Sequence, residues 1–243
     1  MARYQRLTDF VRSLGIEKGV HAIAGSAYAV DTDEPVFHLT FDDGPNREVT
    51  PDVLDALDEF GAKATFFVLT SRAQEHPELV AETMARGHLV GLHTRTHTRL
   101  SDCNFSQLVD EVYTARKDLE EVTGVPVEWF RAPYGAEGAR SLPVIRFAKM
   151  KSLNWSVDTH DWKGLDAASP IGGWRERIGS GGVALLHDVP SGETVGDDDA
   201  NGFVRKGDLT RALLRELRDR ELAPVSLPEL LATGPTLRRA KLR

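Results

Sequence analysis

Short apolar runs recur along the chain at residues 36–41, 64–69, 89–93, 129–132, 153–157, 183–187 and 224–227. Each is too short for a stable helix and rich in β-branched or aromatic residues, so each predicts a strand. Segments with helical spacing lie between most of them. Val53, Leu54, Leu57 and Phe60 mark one helix, opened by Thr50 with Pro51 at the first helical position. Leu79, Val80 and Met84 mark another that ends at Gly87. Asn104 and Gln107 have capping-box spacing before Leu108, Val112, Ala115 and Leu119, and Leu209, Leu213, Leu214 and Leu217 define a last long helix. Alternating strands and helices imply an α/β fold with a mainly parallel sheet and right-handed crossovers. Runs without strict polar alternation suit strands covered on both faces. Seven such repeats predict a closed or nearly closed barrel, with a doubly wound open sheet as the alternative. Either architecture collects ligands at the C-terminal ends of its strands.

A chain of 243 residues can form one large domain of this kind. The expected division is an N-terminal extension over 1–34, packing as helix and loop, a catalytic domain over 35–232, and a basic C-terminal tail over 233–243. Residues 189–206 form a polar connection, either a solvated loop or a wall of the site, since it leaves the strand ending in His187. With 41% hydrophobic and 28% charged residues, the composition argues against disorder. A net charge of −7 gives no electrostatic case for nucleic acid as a partner. No run has the length of a membrane span or the apolar core of a signal peptide, and a single cysteine, Cys103, excludes an internal disulfide. The expectation is a cytoplasmic protein with no membrane partner and an oligomeric state left open.

Three strand ends carry the chemistry: Thr40-Phe41-Asp42-Asp43-Gly44-Pro45-Asn46, His93-Thr94-Arg95-Thr96-His97 and Leu185-Leu186-His187-Asp188. One carboxylate and two imidazoles make a three-ligand set for a catalytic divalent metal with a position open to water. The remaining carboxylate and His187 can then act as base and acid. The histidine pair lacks the intervening glutamate of a His-Glu-x-x-His protease helix. These features point to a metal-dependent hydrolase.

Two further blocks, Arg131-Ala132-Pro133-Tyr134 and Asp158-Thr159-His160-Asp161-Trp162, complete an ordered set of five. Over roughly residues 35–230 the chain resembles the polysaccharide deacetylases, carbohydrate esterase family 4, with a NodB homology domain. The resemblance implies a distorted (β/α)7-type barrel and hydrolysis of an acetamide. Asp43, His93 and His97 match the ligands of one divalent metal ion, usually Zn2+, with Co2+, Ni2+ or Mn2+ able to serve. Asp42 matches the general base, Arg131 the residue that positions it, His187 the acid and Asp161 the partner of that acid. The backbone N–H of Tyr134 matches an oxyanion donor, and Trp162 and Leu185 match walls around the acetyl methyl group. The implied partner is an acetylated sugar or related small molecule: an oligosaccharide, a nucleotide-linked sugar or a glycosylated small molecule. An O-acetyl esterase, a deacylase of non-sugar amides and an inactive carbohydrate-binding protein are the alternatives. Arg95 and Asn46 are further candidates for facing substrate.

Overall fold

Phe37, Leu39 and Phe41 pack into a buried cluster with helix residues such as Val53, Leu57, Leu213 and Leu217. The intervening His38, Thr40 and Asp42 turn to the opposite face, the inside of a curled sheet, as the two-residue period of a strand requires. That interior is partly polar: His38 bonds through Nε2 to Thr65 Oγ1 at 2.9 Å and through Nδ1–H to the Val225 carbonyl at 2.8 Å.

The computed structural model describes residues 25–163, 173–190 and 205–239. Their strands are β1 (Ser26–Val30), β2 (Val36–Asp42), β3 (Ala64–Val68), β4 (Leu89–Leu92), β5 (Trp129–Phe130), β6 (Lys151–Ser152), β7 (Val157–Asp158), β8 (Gly182–His187), β9 (Ala223–Pro224) and β10 (Thr236–Arg239). The helices are α1 (Thr50–Glu59), α2 (Thr70–Glu75), α3 (Pro77–Ala85), α4 (Phe105–Leu108), α5 (Ala115–Thr123), α6 (Ser141–Phe147), α7 (Lys206–Asp219) and α8 (Leu227–Ala232), with a π-helical turn over Val109–Thr114 joining α4 to α5. The sheet runs β10-β1-β8-β2-β3-β4-β5-β6, with β7 on β8 and β9 on β2. From β8 to β6 the pairing is parallel, and β1 joins β8 and β10 antiparallel. Beyond β6, Leu153 bridges Ala27 of β1, and the Asn154 N–H donates to the Ala27 carbonyl at 2.6 Å. This bridge curls the sheet back towards its other edge, giving a distorted, mostly parallel barrel.

Of the N-terminal extension, only residues 25–34 are described: Ser26–Val30 form a strand that the expectation of helix and loop lacked, a loop follows it, and residues 236–239 of the tail pair with the strand. Ser26-Ala27-Tyr28-Ala29-Val30 is too weakly apolar to announce itself, and its pairing comes entirely from distant partners. The run at 153–157 is not one continuous strand: Leu153 forms an isolated bridge, Val157 opens β7, and the backbone between them is irregular. Arg131 takes the Leu153 and Asn154 carbonyls with its Nε and Nη2 at 2.9 and 3.1 Å, while their N–H groups go to the Phe130 and Ala27 carbonyls, so this backbone is divided between a guanidinium and the neighbouring strands. The run at 224–227 stops early because Ser226 and Glu229 form a capping box that starts α8. The Asn104–Gln107 capping box is present as expected. Thr50 lies in the first turn of α1, but its hydroxyl is committed to Asp188. Residues 191–204 of the polar connection, like residues 1–24 and 240–243, lie outside the described residues.

The seam between β1 and β8 depends on Gly181. Its φ is +72°, its N–H donates to the Val36 carbonyl, and its carbonyl accepts from the Val30 N–H. A Cβ there would meet the Val30 carbonyl oxygen at 2.0 Å. Gly181→Ala therefore adds a left-handed strain to a backbone collision and is expected to destabilise the fold by at least about 2 kcal/mol. A urea midpoint shifted down at unchanged slope checks this; an unaltered midpoint would contradict the seam as described.

Candidate active site

Asp43, His93 and His97 meet at the C-terminal ends of β2 and β4. Asp43 Oδ1 lies 3.3 Å from His93 Nε2 and 3.3 Å from His97 Nε2, and all three side chains are buried. Neither carboxylate oxygen of Asp43 has a hydrogen-bond partner, and neither does His93 Nε2. The 3.3 Å contacts are close but not aligned as hydrogen bonds. Buried polar atoms are rarely left this way, and three converging on one point are what a cation would complete. These residues can each offer one ligand atom, all within 4.8 Å of one another. A carboxylate and two imidazoles suit a divalent ion such as zinc.

The local chain prepares those atoms. The His93 N–H donates to the Val68 carbonyl, which extends the β3–β4 ladder by one residue. Its ring Nδ1–H donates to the Arg131 carbonyl at 2.8 Å, which fixes the tautomer and leaves the Nε2 lone pair facing Asp43. Burial holds His97 down at about 4, so its imidazole is neutral near pH 7, the form that ligates. Burial works against ionising Asp43, but contact with His93 Nε2 and the nearby His187 charge hold its carboxyl below the usual range. Asp43, Thr94, His97 and Tyr134 all have positive φ, between 61° and 76°. Such strain in non-glycine residues concentrates where a site dictates the backbone.

Asp42 points to a different partner. Arg131 is completely buried, and its Nη1 donates to Asp42 Oδ1 and to Thr40 Oγ1, each at 2.7 Å. Thr40 in turn donates to the Ala184 carbonyl at 2.5 Å. Asp42 Oδ2 lies 3.7 Å from His93 Nε2, so the second oxygen faces the Asp43 cluster. The guanidinium also sits over the Phe67 ring, 4.3 Å from its centroid.

On β8, His187 is the register partner of Asp42. Its Nδ1–H donates to Asp161 Oδ1 at 2.8 Å and its backbone N–H to Asp161 Oδ2 at 2.9 Å. Asp161 also accepts from Lys206 Nζ at 2.9 Å, and Lys206 is itself buried. Burial favours the neutral acid for Asp161, but the charges of Lys206 and His187 hold it well below the usual carboxylate range. Burial likewise favours neutral His187, yet Asp161, by charge and hydrogen bond, pushes it up to about 9. The next residue, Asp188, accepts from the Gly44 N–H at 3.0 Å and the Thr50 hydroxyl at 2.6 Å. It braces the turn that carries Asp43. Gly44 admits this carboxylate only for want of a side chain, since a Cβ would lie 2.1 Å from Asp188 Oδ2.

Of the remaining expected residues, Tyr134 touches this centre, while Leu185 and Trp162 lie on the segments that carry His187 and Asp161. The Tyr134 ring and the His97 ring meet edge to face with centroids 4.9 Å apart, and the Arg99 guanidinium lies over the Tyr134 ring, 3.9 Å from its centroid. Leu185 is buried on β8, two residues before His187 and so on the same face. Trp162 follows Asp161 in a short 3-10 turn, its ring 6.1 Å from His160 and capped by Lys163. Two candidates point elsewhere. Arg95 pairs with Asp110 and Asp118, and Asn46 Oδ1 caps the Glu48 and Val49 N–H groups before α1. Three buried residues escaped the motif reading: Lys206, Asp188 and Glu111. Lys206 has no local signature, Asp188 stood beside His187 without an assigned role, and Glu111 is a carboxylate on the apolar stripe of Leu108, Val112 and Ala115.

This combination, a curled parallel barrel with an Asp-His-His cluster and an opposed Asp-His pair at its C-terminal rim, is the framework of a hydrolytic centre. The polysaccharide deacetylase profile matches residues 29–153. A chitooligosaccharide deacetylase from Bradyrhizobium sp. is 32% identical over 226 residues, covering 92% of this chain and 100% of that protein. A peptidoglycan-N-acetylglucosamine deacetylase from Bacillus cereus is 30% identical over 219 residues, covering 90% of this chain and 74% of that one. A crystal structure of a peptidoglycan N-acetylglucosamine deacetylase in complex with 4-naphthalen-1-yl-N-oxidanyl-benzamide superposes with a TM-score of 0.77 at 28% identity, covering 92% of this chain and 98% of the other. The chain belongs to the polysaccharide deacetylase family, carbohydrate esterase family 4.

The His187–Asp161 pair makes its own titration a test. With the folded imidazole raised to about 9, the pair's stabilisation is complete below the unfolded value of about 6.5 and is lost as pH rises through 9. Asp161→Asn removes the strongest raising partner and leaves burial, which lowers, opposed only by the charges of Asp43 and Asp42. In metal-free protein, the NMR titration midpoint of His187 is expected to drop clearly below about 9 in this variant. An unmoved midpoint would refute the coupling.

Proposed function

We propose that the protein is a metal-dependent N-deacetylase, hydrolysing the acetamide of an N-acetylated amino sugar to an amine and acetate. One observation carries the reading: adjacent aspartates divide their work. Asp43 joins two imidazoles with no donors satisfying them, while Asp42 is tied to a buried arginine. In this reading Asp43, His93 and His97 hold the ion. Once bound, a divalent ion supplies a Lewis acid that polarises the acetyl carbonyl and acidifies a water molecule. Asp42, its Oδ1 held by Arg131, takes a proton on Oδ2 as water attacks the carbonyl carbon. The Tyr134 backbone N–H stabilises the developing oxyanion, a kind of contact worth about 100- to 1000-fold in rate. His187, kept protonated by Asp161, delivers its proton to the nitrogen as the C–N bond breaks. Leu185 and Trp162 enclose the acetyl methyl group.

The relatives support this substrate class: their names give peptidoglycan N-acetylglucosamine for one and chitooligosaccharide for the other. A cytoplasmic setting belongs to the same proposal and favours oligosaccharides, nucleotide-linked sugars and glycosylated small molecules over an intact wall. Zn2+ is the proposed ion.

Acetate release measured with and without a chelator tests the activity. Chitooligosaccharides, peptidoglycan fragments, nucleotide-linked N-acetyl sugars and O-acetyl esters form the substrate panel. Chelator-sensitive amide cleavage is expected; cleavage of esters alone would select an esterase. Asp42→Asn is expected to lower kcat/KM by roughly 100- to 10,000-fold with metal still bound. Asp43→Ala is expected to lose the metal itself, as read by elemental analysis. Full metal and full activity in Asp43→Ala would overturn its ligand role.

A further inference from the structure

The backbone between the two candidate ligand histidines is irregular, and its amides converge on one buried side chain. Glu111, 8% exposed in the π-helical turn between α4 and α5, accepts the Arg95 N–H at 2.9 Å and the Thr96 N–H at 3.1 Å on Oε2. Its Oε1 accepts the Thr96 hydroxyl at 2.6 Å. The same loop is tied on its other side. The Thr94 and Arg95 carbonyls accept the N–H groups of Thr70 and Ser71 in the first turn of α2, and the His97 N–H donates to Thr94 Oγ1. Thr94 and His97, which bracket the Glu111 contacts, have φ of 69° and 65°. Nothing in regular secondary structure would hold a backbone of this shape.

We propose that Glu111 is a positioning residue that moulds the 94–96 loop so that both imidazoles converge on Asp43, and that it thereby sets the affinity of the metal centre. This rests on the reading of Asp43, His93 and His97 as ligands. Glu111 is not one of the three candidate ligands; it acts through the loop, as outer partners of metal ligands do. Its place on an otherwise apolar helical stripe has no other account in the structure. π-helical turns also recur at functional positions.

The test compares Zn2+ affinity, by competition with a chromophoric chelator, and thermal unfolding with and without Zn2+, on the full chain. Glu111→Ala is expected to weaken Zn2+ binding by about 10- to 100-fold and to shrink the metal-induced rise in Tm. Glu111→Gln can still accept both N–H groups on its carbonyl oxygen and donate its amide to the Thr96 hydroxyl. It is therefore expected to bind within about threefold of wild type. Equal losses of Tm with and without metal in Glu111→Ala, at unchanged affinity, would mark a purely structural residue and overturn the proposal. Equal weakening in the Gln and Ala variants would overturn loop moulding in favour of charge. Should Glu111→Ala not fold, Glu111→Asp decides: its shortened carboxylate must weaken binding, and wild-type affinity refutes the role. A wild-type chain that binds no Zn2+ would instead overturn the metal-centre reading itself.

Discussion

The buried guanidinium of Arg131 is the interaction on which most of this structure depends. It occupies the interior of the barrel with no exposure to water, and a bare cation there would be untenable. Asp42, Thr40 and the carbonyls of Leu153 and Asn154 share its donors. Burial disfavours its charged form, and the Asp42 carboxylate opposes that tendency. The result is one cross-link joining β2, β5 and the chain that follows β6. The same cross-link aims one aspartate of the Asp42-Asp43 pair, and the Arg131 carbonyl orients His93. Fold and site therefore share an anchor.

Around that anchor the strand ends are sorted by charge. Asp43 faces two imidazoles, Asp42 faces Arg131, and Asp161 faces His187 and Lys206. Each carboxylate has a different main partner, so three acidic groups share one rim in different surroundings. Asp188 and Glu111 lie just behind, receiving backbone N–H groups of the two turns that carry the Asp43 and His97 side chains. The positive φ values at Asp43, Thr94, His97 and Tyr134 are the backbone counterpart of this arrangement, because those turns are shaped by what they hold.

Much of this was legible in residue patterns. The runs at 36–41, 64–69, 89–93 and 183–187 became the central parallel strands, because apolar β-branched sequences buried on both faces have few alternatives. The Asn104–Gln107 box also formed as its local chemistry dictates. The metal set was legible as a type, one carboxylate and two histidines, but residue types alone did not say which aspartate would join it. Other features were hidden because their causes are distant in sequence. β1 is held by β8, β10 and the bridge to Leu153, and the 153–157 run is interrupted where its carbonyls turn to the guanidinium of residue 131. Arg95, a plausible substrate contact from its motif, is instead engaged by Asp110 and Asp118.

By itself the sequence determined the class of fold, the strand ends at which polar groups would gather, and the kinds of side chain available there. Those follow from local rules: hydrophobic period, capping and the placement of loops after strands. Tertiary structure decided which groups met. Lys206 reaches Asp161 from α7 across 45 positions, and Asp188 braces Gly44 across 144. Such pairings depend on the curl of the sheet and on burial, which makes an unpaired charge costly and so selects the partner. No periodicity in a single chain encodes that choice.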